Sequence, residues 1–224
     1  MNKLRLIGGA ICLLAGTHAV AHVATYNVTQ VYNQVAYDNS NPTWDTIFQG
    51  TFDFDPHTGT VSNLHGSLSQ AMTGNTAYRL LNYQLSSVYD ATLGGLLVSV
   101  FHKNTTDVFQ GGGFATGGTK EFGNQNAYVT IFVNTADPTA PLTTAQNGKL
   151  AYGDCTTGSL MGMGMGPKTC MTGWLTATGG PGGTMMGTAP ITQTITAIPE
   201  ADTWALLLAG LGLVGFAARR RTRM

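Results

Sequence analysis

The sequence predicts an all-β protein: an antiparallel β-sandwich or jelly roll with one short helix, preceded by a signal helix and followed by a transmembrane helix. Three observations lead there. Between residues 22 and 198, about nine short runs mix apolar and polar residues in near alternation, roughly 8–12 residues apart, as two-layer antiparallel folds require. Thr, Asn, Ser and Gly stand where Lys and Glu would support helices. Turn-forming residues punctuate the runs. A β-helix would need a fixed repeat, and the chain has none.

The first 21 residues form the signal segment. Lys3 and Arg5 supply a positive start, Leu6 to Gly16 an apolar stretch too short to span a bilayer, and Ala19-Val20-Ala21 a small-x-small cleavage site before His22. Cys12 leaves with it. The exported part, 22–198, is one domain with room for a real core. It holds nine acidic and five basic residues, a net charge of −4, so no basic face exists for nucleic acid.

Within this domain, Thr25 to Tyr37 reads as a strand with a bulge where the period slips between Val28 and Val31. Asn39 to Pro42 is a turn. Trp44 to Phe54 is a strand with Phe48, Phe52 and Phe54 on one face. Asp55-Pro56-His57-Thr58-Gly59 turns the chain, Gly59 supplying a positive φ, and Thr60 to Leu68 returns. Tyr78 to Val88 and Leu96 to Lys103 are strands joined through Gly94-Gly95. Leu96 to Phe101 is the most apolar run and therefore the central, covered strand. Asp107 to Phe114 reads as a further strand and Gly111-Gly112-Gly113 as a bulged corner, lacking the context of a nucleotide loop. Ala127 to Val133 is a strand. Thr143 and Gln146 have capping-box spacing and predict the single helix over Thr144 to Tyr152. Ile191 to Ile198 is the last strand.

Cys155 and Cys170 remain after processing, and an oxidising compartment pairs them in a disulfide. It would close a glycine- and methionine-rich segment, with stabilisation of about 3 kcal/mol in the chain-entropy account.

No catalytic constellation stands out. His22, His57, His65 and His102 show no metal-motif spacing, Glu121 is the one glutamate of the exported domain, and no serine has an elbow motif. The expectation is a non-enzyme with no cofactor and no metal. Asp53, Asp55 and His57 alternate like ligands, yet an Asp-Pro turn closing a hairpin accounts for them with fewer assumptions. Two alternatives carry their own chemistry. An N-terminal His22 with Met161, Met163, Met165 and Met171, and Met185 and Met186 beyond, would suit copper in the periplasm; the same methionines would equally pack a glycine-rich loop. Trp44, Tyr83, Tyr89 and Trp174, if exposed on one face, would suit carbohydrate stacking.

The C-terminal stretch is the most specific. Pro199-Glu200-Ala201 is followed by the uncharged run Trp204 to Ala218 and then by Arg219, Arg220, Arg221 and Arg223. At about 1.5 Å per residue the run makes a helix about 23 Å long, against a hydrocarbon core of roughly 30 Å. Trp204 at one interface and snorkelling arginines at the other extend its reach. A buried core helix would show a polar face, and this one has none.

These residues resemble the PEP-CTERM sorting signal, with Ala201 in the place of the consensus second proline. The resemblance covers residues 199–224 and concerns sorting. It implies export to the periplasmic side of the inner membrane, handling by a membrane processing enzyme of the exosortase type, and delivery to the cell surface or beyond. It also implies association with extracellular polysaccharide. It implies no catalytic activity.

Overall fold

The computed structural model describes residues 23–32, 45–69, 78–104, 126–154, 171–175, 181–182, 190–199 and 201–221. The expected signal peptide with its cleavage site before His22, the strand expected at Asp107 to Phe114, Trp44, Glu121, the Cys155–Cys170 disulfide, Met161, Met163, Met165, Met185 and Met186 lie outside these residues, as do Glu200 and Arg223.

Eleven strands are described, and every pairing among them is antiparallel. They are β1 (Ala24–Tyr32), β2 (Thr46–Asp55), β3 (Thr60–Ser69), β4 (Tyr78–Leu81), β5 (Tyr83–Asp90), β6 (Gly95–Phe101), β7 (Ala127–Asn134), β8 (Ala151–Asp154), β9 (Met171–Leu175), β10 (Pro181–Gly182) and β11 (Pro190–Ala197). The helices are α1 (Thr144–Asn147) and α2 (Ala201–Arg221). One sheet has the order β11-β1-β2-β3-β4, the other β10-β9-β8-β7-β6-β5. One apolar cluster joins them: Val28, Phe48, Phe52, Leu64 and Leu68 from the first sheet meet Val98, Val100, Val129, Ile131 and Tyr152 from the second. Tyr32 and Tyr152 meet across the interface with ring centroids 4.5 Å apart.

The strand pattern explains this layering. Phe48, Phe52 and Phe54 do share one buried face of β2, and Gly59 turns the chain into β3 at φ +62°. The Leu96 run is interior to its sheet, between β5 and β7. Residues 127 to 133 of β7 are buried on both faces, as their near-continuous apolar sequence requires. Tyr128 and Phe101 belong to a second, smaller cluster with Ala151 on the outer side.

Three expectations need correction. β1 shows no bulge between Val28 and Val31: its pairing with β2 is unbroken, and Gln30 rather than Val31 takes the inward place, fully buried. The alternation slips in sequence because a polar residue occupies a core position. The run from Tyr78 to Val88 is two strands, not one. The chain breaks at Asn82, so β4 ends the first sheet and β5 begins the second. The helix expected over Thr144 to Tyr152 stops at Asn147. The capping box of Thr143 and Gln146 forms, but Gly148 caps the C-terminus and Ala151–Asp154 pairs as β8. α2 encloses the expected run Trp204 to Ala218, and its 21 residues extend about 31 Å.

The same helix is bare: Leu207, Leu208, Leu211, Leu213, Val214 and Phe216 are all exposed, Leu213 by 72%. It is therefore no core helix. Among the described residues, no helix is both long and apolar enough to cross a membrane.

Candidate functional site: a polar cleft and a sorting tail

The β2–β3 hairpin carries a dense set of polar side-chain contacts. Its register shifts between Thr51 and Asp53, where Thr51 pairs with His65 but Asp53 pairs with Ser62. Two β3 residues therefore stand opposite one, a bulge. Asn63 takes the left-handed conformation there, at φ 54°, which asparagine tolerates better than most residues. Val61, before the bulge, and Leu64, within it, both stay buried. The sequence signal was present in their odd spacing, three residues apart where an uninterrupted strand needs an even number.

The bulge presents a polar array. Thr25 donates its hydroxyl to Asp53 Oδ1 at 2.8 Å, and Asn63 Nδ2 donates to Asp53 Oδ2 at 2.7 Å. His65 Nδ1 lies 2.7 Å from the Asn63 carbonyl and so carries the proton. That leaves Nε2 to accept from the Thr51 hydroxyl at 3.2 Å. Gln84 of β5 closes the array from the opposite sheet. Its amide accepts from Leu64 N and donates to the Val61 carbonyl, both at 2.9 Å. β4 pairs only with Gly66 to Ser69, so no described strand lies beside this part of the β3 edge. A cleft of about 760 Å³ opens here, with Asn82 at its rim.

The residues singled out in sequence are partly separated. Asp53 belongs to the cleft, whereas Asp55 and His57 belong to the turn. Asp55 accepts from the Thr58 hydroxyl at 2.9 Å and from His57 N at 2.8 Å. These bonds, the Thr58 hydroxyl first, hold its carboxyl below the ordinary range. Among the described residues no three His, Cys, Asp or Glu side chains converge on a metal position. His102 is committed elsewhere, its Nδ1 2.8 Å from the Leu80 carbonyl.

Tyr83 and Tyr89, the two candidates whose side chains are described, do not share one face. Tyr83 and Tyr89 are both exposed, by 44% and 56%. A register shift between Gln84 and Ser86 intervenes. Tyr83 thus pairs with Phe101 of the outer side, and Tyr89 with Leu96 of the core side, so the two rings belong to opposite faces. Trp174 sits in β9, paired with Ala151.

Sequence reasoning missed the glutamines. Besides Gln84, Gln193 of β11 donates to the Phe132 carbonyl at 2.6 Å and accepts from Phe132 N at 3.1 Å. β8 accompanies β7 only as far as Thr130, so a side-chain amide stands in for a strand neighbour. Gln30 donates to the Thr130 carbonyl at 3.0 Å and to Gln193 Oε1 at 2.8 Å, and accepts from the Tyr32 hydroxyl at 2.6 Å. A glutamine among strand residues carries no sequence signal of such a role.

The chain leaves the sandwich by β11, an edge strand of the first sheet. The Ile198 N–H still bonds the Thr25 carbonyl at 2.9 Å, and α2 follows from Ala201. Pro199 thus occupies the joint between fold and helix. Arg219, Arg220 and Arg221 end α2, with Arg219 exposed.

The described architecture is a β-rich domain continued at its C-terminal end by an apolar, arginine-ended helix. Residues 197–221 match the family model described as the PEP-CTERM protein-sorting motif, so the chain carries a sorting signal of that kind, which supports export and sorting through exosortase. Neither curated proteins nor solved structures yield a match to this chain.

Proposed function

We propose that the protein is a non-catalytic component of the cell envelope or extracellular matrix. Its sandwich is delivered by exosortase-dependent processing and associates there with extracellular polysaccharide. The observation that supports this reading is the position of the sorting motif. Its match begins at residue 197, which is the last residue of β11. Delivery of the tail to a membrane enzyme therefore delivers the folded sandwich with it. Pro199, Glu200 and Ala201 are the recognition residues. The run from Trp204 to Ala218 engages the inner membrane, which would cover the bare leucines of α2, and the arginines stay on the cytoplasmic side.

Intact mass of the protein recovered from the envelope and the medium of its own host tests this. The expected species lacks both the signal segment and everything beyond the Pro199–Ala201 motif. A released protein that keeps α2 would overturn processing, and a Pro199→Ala/Glu200→Ala double variant is expected to accumulate with α2 attached.

A further inference from the structure

We propose that the cleft at the β2–β3 bulge is a binding site for a neutral, polyhydroxylated ligand, a short glycan segment. The inference rests on the polysaccharide reading above and gives it a place.

Size and chemistry argue for this class. A space of about 760 Å³ falls within the range of small-molecule sites. Among the described residues no lysine or arginine lines it, so a phosphate, sulfate or uronate would meet the Asp53 carboxylate with no compensating cation from them. Asp53 is the one acidic residue among the described residues of the lining, too little for a cation cage. What remains is a set of donors and acceptors: the Asp53 carboxylate, the Asn63 and Asn82 amides, and the Ser62 and Thr51 hydroxyls, with His65 holding Thr51 in place. Adjacent sugar hydroxyls, each both donor and acceptor, complement such a set, and an amide or carboxylate can take two at once.

The array is also held in place before any ligand arrives. Asp53 is fixed on both oxygens, by Thr25 and Asn63, and His65 is fixed at both ring nitrogens. Each Asp53 oxygen has a second lone pair to offer. The ordering cost of binding is thereby reduced. Gln84 holds the rim by bonding the β3 main chain, so the wall does not depend on the ligand.

The test uses the full chain in polyoxyethylene detergent, which carries no sugar headgroup. Cellohexaose, maltohexaose and mannohexaose are titrated by calorimetry, with a galacturonate hexamer as the anionic counterpart. Binding of at least one neutral oligosaccharide is expected, with no binding of the galacturonate. Asp53→Asn and Asn82→Ala are each expected to weaken it about tenfold, as loss of one charged or one well-placed hydrogen bond does. Asn82 holds the fold through its backbone N–H to the Phe101 carbonyl, so its alanine variant keeps the sandwich. Tyr83→Ser and Tyr89→Ser are expected to bind as the parent does. Absence of binding by all three neutral probes, unchanged affinity in both cleft variants, or equal affinity for the galacturonate overturns the proposal. Cosedimentation with the host's extracellular polymer separates the two readings. If parent and Asp53→Asn protein sediment alike, polymer association stands and the cleft does not. If the parent stays in solution yet binds an oligosaccharide through the cleft, the site stands and polymer association falls.

Discussion

Gln193 shows how much a single side chain carries here. Its amide satisfies both main-chain groups of Phe132, where the neighbouring strand has already ended. Gln193→Leu removes both partners without a replacement, and a loss on the order of 2–4 kcal/mol is expected in urea unfolding. Gln193→Glu is a sharper variant, since it keeps an acceptor for the Phe132 N–H but turns a carboxylate toward the carbonyl. It is expected to be less stable than wild type at neutral pH and to recover as the carboxylate is protonated. Tyr32 belongs to the same network. Burial first, then the neighbouring Tyr128 and Tyr152, push its hydroxyl well above the ordinary 10.0. A raised folded value means that the stabilisation is complete below 10.0 and is lost as the pH rises toward the folded value. Urea midpoints compared between about pH 8 and about pH 11 are therefore expected to fall, and to fall less steeply in Tyr32→Phe.

At the scale of the element, the β2–β3 hairpin combines a tight approach with a bulge. Gly50 and Gly66 face each other in register, and the Phe48 ring lies over both. A Cβ on Gly50 would stand 2.4 Å from the His65 carbonyl oxygen and 2.8 Å from the Phe48 ring. The first contact is with backbone and cannot turn away. Gly50→Ala is therefore expected to destabilise by about 1–3 kcal/mol. It is also expected to disturb His65, which chemical shifts of its ring protons would report. The aromatic and glycine spacing of this hairpin is plain in sequence. That one ring covers a facing glycine pair is not, because the pairing depends on a register that a turn and a bulge set together. The helix at Thr143 makes the complementary point. Its start was legible, since a capping box is a local motif, and its end was not. Gly148 caps it at αR dihedrals, and the residues beyond pair with a strand distant in sequence.

For the whole molecule, acid is the condition that tests the turns together. Asp55 and Asp137 both bind their protons more weakly when folded, because the hydroxyls of Thr58 and Thr139 respectively, and then nearby backbone N–H groups, bond their carboxylates. Lowered folded values mean stability that is present above 3.8 and lost as the pH falls through the folded values. Tm is expected to decline in that window, and Asp55→Asn to flatten the decline. The sequence by itself determined the β class, the buried phenylalanine face of β2, the Gly59 turn, the covered β6 and the sorting tail. Each of these is written in neighbouring residues, through a period of two, a turn motif or a three-part order of proline-glutamate, apolar run and arginines. Only the tertiary structure decided that the stretch from Tyr78 divides between two sheets at Asn82, that Tyr83 and Tyr89 belong to opposite faces, and that Asp53 joins Asn63 and His65 rather than Asp55 and His57. It also decided that glutamines from each sheet complete an edge of the other. Those facts follow from where pairing stops and which strand then lies opposite, and a hydrogen bond between residues 61 positions apart, as between Gln193 and Phe132, leaves no mark on the local pattern.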